Sequence, residues 1–184
     1  RRLKIVAAHL ASGLERTVLL KESDARRQMS RELTHASVRH TPHAVGTLTP
    51  ESGLDVAIRV ASPAALGGDL CEIWPVGKGQ TFLALGDATG HSVPAAMIMA
   101  VARGSLRTLL DSPAALAQGP EAITAQLNRA LHSVTHGEQF MTFVCGLFDR
   151  RRRRLHYANA GHPPPWHIRQ GRVLALPTHG MLLG

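Results

Sequence analysis

Residues 1 to about 33 read as helix, opened by apolar residues at three- and four-residue steps. Leu3, Val6, Leu10, Leu14 and Val18 form one stripe and no proline interrupts it, which predicts a helix. From Lys21 the pattern turns charged: Glu22 and Arg26 stand at i,i+4 and Asp24 and Arg27 at i,i+3, as on a solvated helix face. Residues 34–53 lose this periodicity. They hold His35, His40, His43, two prolines and two glycines, and the histidine spacing fits no common metal pattern, so they read as a polar connector ending near Gly53.

Beyond Gly53 the period becomes two. Leu54, Val56, Ile58 and Val60 alternate with Asp55, Ala57 and Arg59, which predicts a half-buried strand. Residues 69–75 and 80–86 read as two further strands joined by the Gly77-Lys78-Gly79 turn. Two helices follow. Val93, Ala96, Met97, Ala100 and Val101 share one helical face, Pro94 is tolerated in the first turn, and Met97 and Met99 read as core filler. Asp111-Ser112-Pro113 ends that helix. Pro120 opens the next, with Ile123, Leu127, Ala130, Leu131 and Val134 inward and Gly137 as its stop. Strands are expected over 141–149 and 154–160, with a short hairpin at 164–169 and 172–176. Strand clusters separated by adjacent helices are not a βαβ alternation, so the expected class is α+β with antiparallel sheets.

Composition narrows the function. The 184 residues suit one domain plus something extra, and 44% apolar with 18% charged residues excludes wholesale disorder. The net charge of +8 is split: nine Lys/Arg face four Asp/Glu over 1–43, five face nine over 44–149, and seven face none over 150–184. Flanking basicity around an acidic middle, with seven aromatic residues in all, does not make a nucleic-acid groove. The longest apolar run, Val93 to Ala102, is about half the roughly 20 residues of a membrane span, so no membrane segment is expected. Cys71 and Cys145 are too few for a disulfide framework and point to a reducing, cytoplasmic setting. The chain has no initiator Met, and both ends read as cut.

The candidate chemistry lies in Gly67-Gly68-Asp69-Leu70-Cys71-Glu72 and in Ala84-Leu85-Gly86-Asp87-Ala88-Thr89-Gly90-His91, each with a carboxylate beside glycine at a strand end. Read as a hairpin, these strands place Asp69 and Asp87 near opposite ends, converging only if the sheet bends. Carboxylates and backbone carbonyls suit hard divalent ions, and glycines let a carbonyl turn toward one. Cys71 has no basic neighbour in sequence to make it a nucleophile.

GGDLCEIW, FLALGDATGHSVPAAMIMA, FMTFVCGLFD and LHYANAGHPPPWHIRQGRVLAL ending at GMLLG, in that order over about residues 54–184, resemble the SpoIIE-type (sporulation stage II protein E) branch of the metal-dependent PPM, or protein phosphatase 2C, superfamily. The resemblance implies an αββα sandwich of two antiparallel sheets flanked by helices. It implies protein serine/threonine phosphatase activity with two Mn2+ or Mg2+ ions. By this likeness Asp69 matches the first metal aspartate and Asp87 the bridging one, with the Ala88 carbonyl completing the second ion. Glu72 stands where the family usually has Asp, one bond longer. The family's Gly-His-Gly is Gly90-His91-Ser92 here; His91 either donates a proton to the leaving oxygen or bonds backbone at a tight turn, and Ser92 suits a helix cap. His162 reads as packing, with Asn159 bonding across its turn.

The family's Thr-Asp-Gly block and a further acidic ligand would fall beyond Gly184. The expectation is therefore a sandwich incomplete at its C-terminus, holding about half of a two-metal site and weakly active at most. The family implies a phosphorylated STAS-type regulatory protein, an anti-sigma-factor antagonist, as substrate. About 25 residues of the 1–33 helix resemble the last helix of a GAF sensor domain running on into a signalling helix, which implies an upstream sensor and dimerisation through this helix; the alternative for this stretch is an amphipathic helix packing on its own domain. The alternative is a degenerate, non-catalytic module that binds a phosphoprotein. Finally, Arg150 to Arg154 follow Asp149 at an expected hairpin tip. Such a run is either a solvated turn or a dock for an acidic surface.

Overall fold

A computed structural model describes residues 54–58, 67–77, 79–90, 93–135, 137 and 139–184, with Ser23 and Gln28 besides. The chain divides into two compact units, Arg1–Arg39 and His40–Gly184. In the first, Ser23 and Gln28 are helical. The rest of the expected N-terminal helix, its sensor-tail reading and the 34–53 connector lie outside the described residues.

The second unit runs β1 (Asp69–Pro75), β2 (Gln80–Ala88), α1 (Val93–Leu110), α2 (Pro113–Gln118), α3 (Pro120–His132), β3 (Met141–Asp149), β4 (Arg154–Ala160), β5 (Trp166–Arg169) and β6 (Arg172–Ala175). The first four strands form one antiparallel sheet in the order β1-β2-β3-β4, and β5 pairs with β6 in a second. The class is α+β with antiparallel sheets, as expected.

Strand alternation divides the larger sheet into two faces. Leu70, Phe82, Ala84, Ala88, Met141, Phe143, Cys145 and Leu147 join Ile98, Met99, Ala102 and Leu106 of α1 and Ile123, Leu127 and Leu131 of α3 in one buried core. Each fully buried large side chain there is worth about 1.5–3 kcal/mol relative to exposure. The opposite face carries Asp69, Cys71, Leu85, Asp87, Thr142 and Val144.

Three local expectations are corrected and one is extended. Leu54 to Ile58 keep alternating exposure but belong to no strand, and residues 59–60 lie outside the described residues. α1 buries Ala95, Ile98, Met99, Ala102, Leu106 and Leu110, one stripe over from the expected one, leaving Met97 66% exposed. α3 ends at His132, so Val134 is 45% exposed and not inward. Asp111-Ser112-Pro113 does more than end a helix: the Ser112 hydroxyl accepts the Ala115 amide at 3.4 Å and caps α2, with Pro113 in its first turn.

By length and composition alone α1 is apolar enough to cross a membrane, contrary to the run-length reading. Its buried stripe packs on the sheet and α3, and Arg103 on it pairs with a buried carboxylate. It serves here as a core helix.

Candidate functional site

The β1–β2 ladder pairs Asp69 directly with Asp87, and the ladder continues to Pro75 opposite Thr81. The reading that set the two aspartates at opposite ends is corrected. The turn lies midway between them in sequence, so an antiparallel hairpin returns one onto the other at its open end. Directly opposed residues point to the same face, so both carboxylates lie on the sheet face away from the helices.

Gly68 makes room beside them. The Ala88 amide donates to the Gly68 carbonyl at 3.0 Å. A Cβ at position 68 would stand 2.7 Å from the Ala88 carbonyl oxygen and 3.3 Å from Asp87 Oδ1. The missing side chain therefore leaves a small cradle bounded by a carboxylate and a carbonyl. Two carboxylates and a carbonyl oxygen form a hard, all-oxygen donor set that suits Mg2+ or Mn2+. Among the described residues no group of three or more His, Cys, Asp and Glu side chains is arranged to hold a metal. Asp69, Asp87 and Ala88 thus fit part of a coordination sphere.

Glu72 does not join them. Three residues from Asp69, it faces the helices, where it is buried and its Oε1 lies 2.7 Å from Arg103 Nε. Its side chain thus lies on the sheet face opposite Asp69 and Asp87, at the sheet–helix interface. His91 and Ser92 lie outside the described residues.

The site gains residues whose place sequence reading missed. The β2–β3 register sets Thr142 opposite Asp87. Thr142 Oγ1 lies 2.8 Å from His162 Nδ1 and 3.5 Å from the Asp87 carbonyl oxygen. His162 is itself fixed by Asn159, whose Oδ1 accepts the His162 amide at 2.9 Å while its Nδ2 donates to the His162 carbonyl at 3.0 Å and to Thr178 Oγ1 at 3.2 Å. Gly161 between them has φ +69°, and a Cβ there would meet Leu182 Cδ2 at 2.6 Å. Burial pushes His162 below the ordinary histidine range, with the Asp87 charge acting the other way. The signal was Asn159-Ala160-Gly161-His162 itself, a side chain, a left-handed turn and a ring in close succession.

Asp69, Asp87 and His162 line a cavity of about 730 Å³ whose remaining wall includes Ile73, Leu83, Leu85, Val144 and Tyr157. Ionisable groups thus sit beside an apolar trough, an arrangement common in ligand sites. Cys71 also lines it, but burial and then the Glu72 charge push its thiol up, against the opposing effect of Arg103. Burial pushes the Cys145 thiol to about 12. Neither is an activated nucleophile.

The model of the family described as stage II sporulation protein E (SpoIIE) matches residues 77–184. The phosphoserine phosphatase RsbU of Bacillus subtilis is 25% identical over 152 residues, covering 81% of this chain and 43% of RsbU. The phosphoserine phosphatase RsbP of the same organism is 28% identical over 103 residues, 54% of this chain and 25% of RsbP. The chain thus spans less than half the length of either. Among solved structures, the SiaA-PP2C domain of Pseudomonas aeruginosa superposes with a TM-score of 0.70 at 21% identity, covering 87% of this chain and 64% of that one. This last likeness shows a shared PP2C-type fold.

Proposed function

This chain belongs to the SpoIIE family, within the PPM-type phosphatases, and from that premise we propose that it is a metal-dependent protein serine/threonine phosphatase domain. The observation that carries the reading is the Asp69–Asp87 pairing, two carboxylates opposed on one sheet face beside the Ala88 carbonyl. Asp69 and Asp87 would hold the divalent ion or ions, with the Ala88 carbonyl as a further donor. When bound, Mn2+ or Mg2+ supplies an activated water and neutralises charge developing on a phosphoryl group.

The chain's own residues do the rest. The β1–β2 ladder fixes the carboxylates, so little orientation remains to be lost on binding. Thr142 ties His162 to the strand that bears Asp87, and Asn159 locks the turn behind it. The apolar trough beside the two exposed carboxylates offers a surface to the segment carrying the phosphorylated serine or threonine. His91 is proposed as a proton donor to the leaving oxygen.

The proposed substrate is a phosphorylated STAS-type regulatory protein, and the setting cytoplasmic. RsbU and RsbP, the phosphoserine phosphatases it resembles, support the reaction class. An upstream sensor acting through the N-terminal helix, with dimerisation there, belongs to the same proposal. A second reading is favoured by the small donor set among the described residues: a non-catalytic module that binds a phosphoprotein.

Phosphate release from a phosphoserine-bearing STAS-type protein, assayed with the whole gene product and Mn2+, tests both. Turnover by the wild type and none by Asp87→Asn is expected. Equal turnover by Asp87→Asn, or turnover after complete chelation of divalent ions, overturns the metal reading. Tight binding without turnover selects the second.

A further inference from the structure

We infer that the cleft at the turn end of the large sheet is a docking site for an acidic, extended segment of a partner protein that carries apolar side chains. The inference needs no catalysis and stands apart from the phosphatase reading. The cleft, of about 1040 Å³, lies where the C-terminal end of α1 and the short helix α2 meet the ends of β1, β3 and β4. Val76, Leu110, Leu116 and Leu147 give it a buried or half-buried apolar floor. Arg152 and Arg154, both exposed, stand on its edge.

These two belong to the arginine run. The turn that carries it is built: the Arg152 amide donates to Asp149 Oδ1 at 3.0 Å, the Arg150 amide donates to the Gly79 carbonyl at 3.1 Å, and Arg153 takes φ +50°. Five adjacent guanidinium side chains are thereby held on one tip. Two carboxylates also line the cleft, and both are engaged: Asp111 lies 3.6 Å from Arg107 and Asp149 lies 3.8 Å from Arg152. Among the described residues, Arg151, Arg153 and Arg154 have no carboxylate within ion-pair reach. The tip therefore keeps an excess of positive charge, and packed like charges are relieved by an anion.

The shape selects the kind of anion. A bilayer surface is too broad to reach the floor of a concave cleft, and single-stranded nucleic acid calls for stacking aromatics, where the lining offers a single imidazole, His156, already 2.8 Å from Glu121. Alternating acidic and apolar residues on an extended segment satisfy rim and floor together, since successive side chains point opposite ways. Seven residue steps along β2 separate Gln80, at this end, from Asp87, about 23 Å at the usual strand rise. Docking here would leave the carboxylate pair clear.

Fluorescence anisotropy with a labelled twelve-residue peptide alternating Glu and Leu, at 50 mM NaCl, tests the inference. Arg152→Ser with Arg154→Ser should weaken binding at least tenfold, and Leu116→Asp should do the same. The charge-matched pair Arg169→Ser with Arg172→Ser, on the β5–β6 hairpin, should change it less than twofold. A Glu-Ser peptide of equal charge should bind at least tenfold more weakly; this arm holds even if Leu116→Asp does not fold. No binding by the wild type overturns the inference, as does equal loss in the two arginine pairs or equal affinity for the two peptides. Tighter, Arg152- and Arg154-dependent binding to phosphatidylserine vesicles than to the Glu-Leu peptide also overturns it, in favour of a membrane.

Discussion

Arg103 of α1 reaches Glu72 of β1 across the sheet–helix interface, Nε to Oε1 at 2.7 Å, with side chains 19% and 3% exposed. A carboxylate this deep depends on its cation, because removing one partner of a buried pair costs more than the pair contributes. Arg103→Met is expected to cost about 3–5 kcal/mol, measured by urea unfolding. Glu72→Leu combined with Arg103→Met should recover most of that loss. A single mutant as stable as the wild type would show that the pair is solvated in solution.

Metal affinity is expected to separate the two carboxylates of the open face from the one beneath the helix. Asp69→Asn and Asp87→Asn should each weaken Mn2+ binding by calorimetry at least tenfold, while far-ultraviolet circular dichroism stays unchanged. Glu72→Gln should leave Mn2+ affinity within twofold, since its side chain lies on the other face. A tenfold effect of Glu72→Gln would return that residue to the site.

Gly68 faces a carbonyl that cannot step aside. Gly68→Ala brings a methyl to 2.7 Å from the Ala88 carbonyl oxygen. Overpacking of this kind typically costs about 1–3 kcal/mol, and the Mn2+ affinity should fall with it. Gly104 has no neighbour within 4 Å of a hypothetical Cβ, so Gly104→Ala in α1 should stabilise by about 0.5–1 kcal/mol through helix propensity. The opposite signs of the two substitutions, read from urea midpoints, check the packing.

Cys145 gives a pH signature. Its thiol, buried against Thr124 and raised to about 12, stays protonated in the folded protein where an unfolded thiol ionises near 9. A raised folded value contributes stability that is complete below pH 9 and is lost as pH climbs from 9 toward 12. The wild type should therefore lose stability over that window faster than Cys145→Ala, and iodoacetamide at pH 8.5 should label Cys145 only in urea. Rapid labelling of the native protein would contradict this burial.

The β1–β2 hairpin is legible from its Gly77-Lys78-Gly79 turn and the β3–β4 hairpin from the arginine run between two apolar stretches, and strands 69–75, 141–149 and 154–160 stand where the pattern puts them. The Asp69–Asp87 pairing is not visible at either strand end alone; it emerges only from counting outward from the turn. The α1 face was misjudged for a different reason. Val93, Ala96, Met97, Ile98 and Met99 are apolar nearly all round, so periodicity could not choose between adjacent stripes, and contact with Leu70, Phe82 and α3 decided. The Thr142–His162–Asn159 network joins residues from β3 and the end of β4, a union that only the β3–β4 pairing creates.

The meander order of the large sheet bears on how the chain assembles. β1 and β2 meet across a four-residue connection, residues 76–79, whereas β3 reaches β2 only after all three helices have been traversed. Closing the short loop is entropically cheap and fast, while the long closure awaits a packed helical layer. The two aspartates should then stand opposite each other early, with Thr142 and His162 added late. Pulsed hydrogen exchange during refolding should protect β1 and β2 amides before those of β4, and the reverse order would show that the helices nucleate the sheet. Because a one-residue slip in that first hairpin would send one carboxylate to the helix side, acquisition of Mn2+ affinity would report when the chain has settled its register.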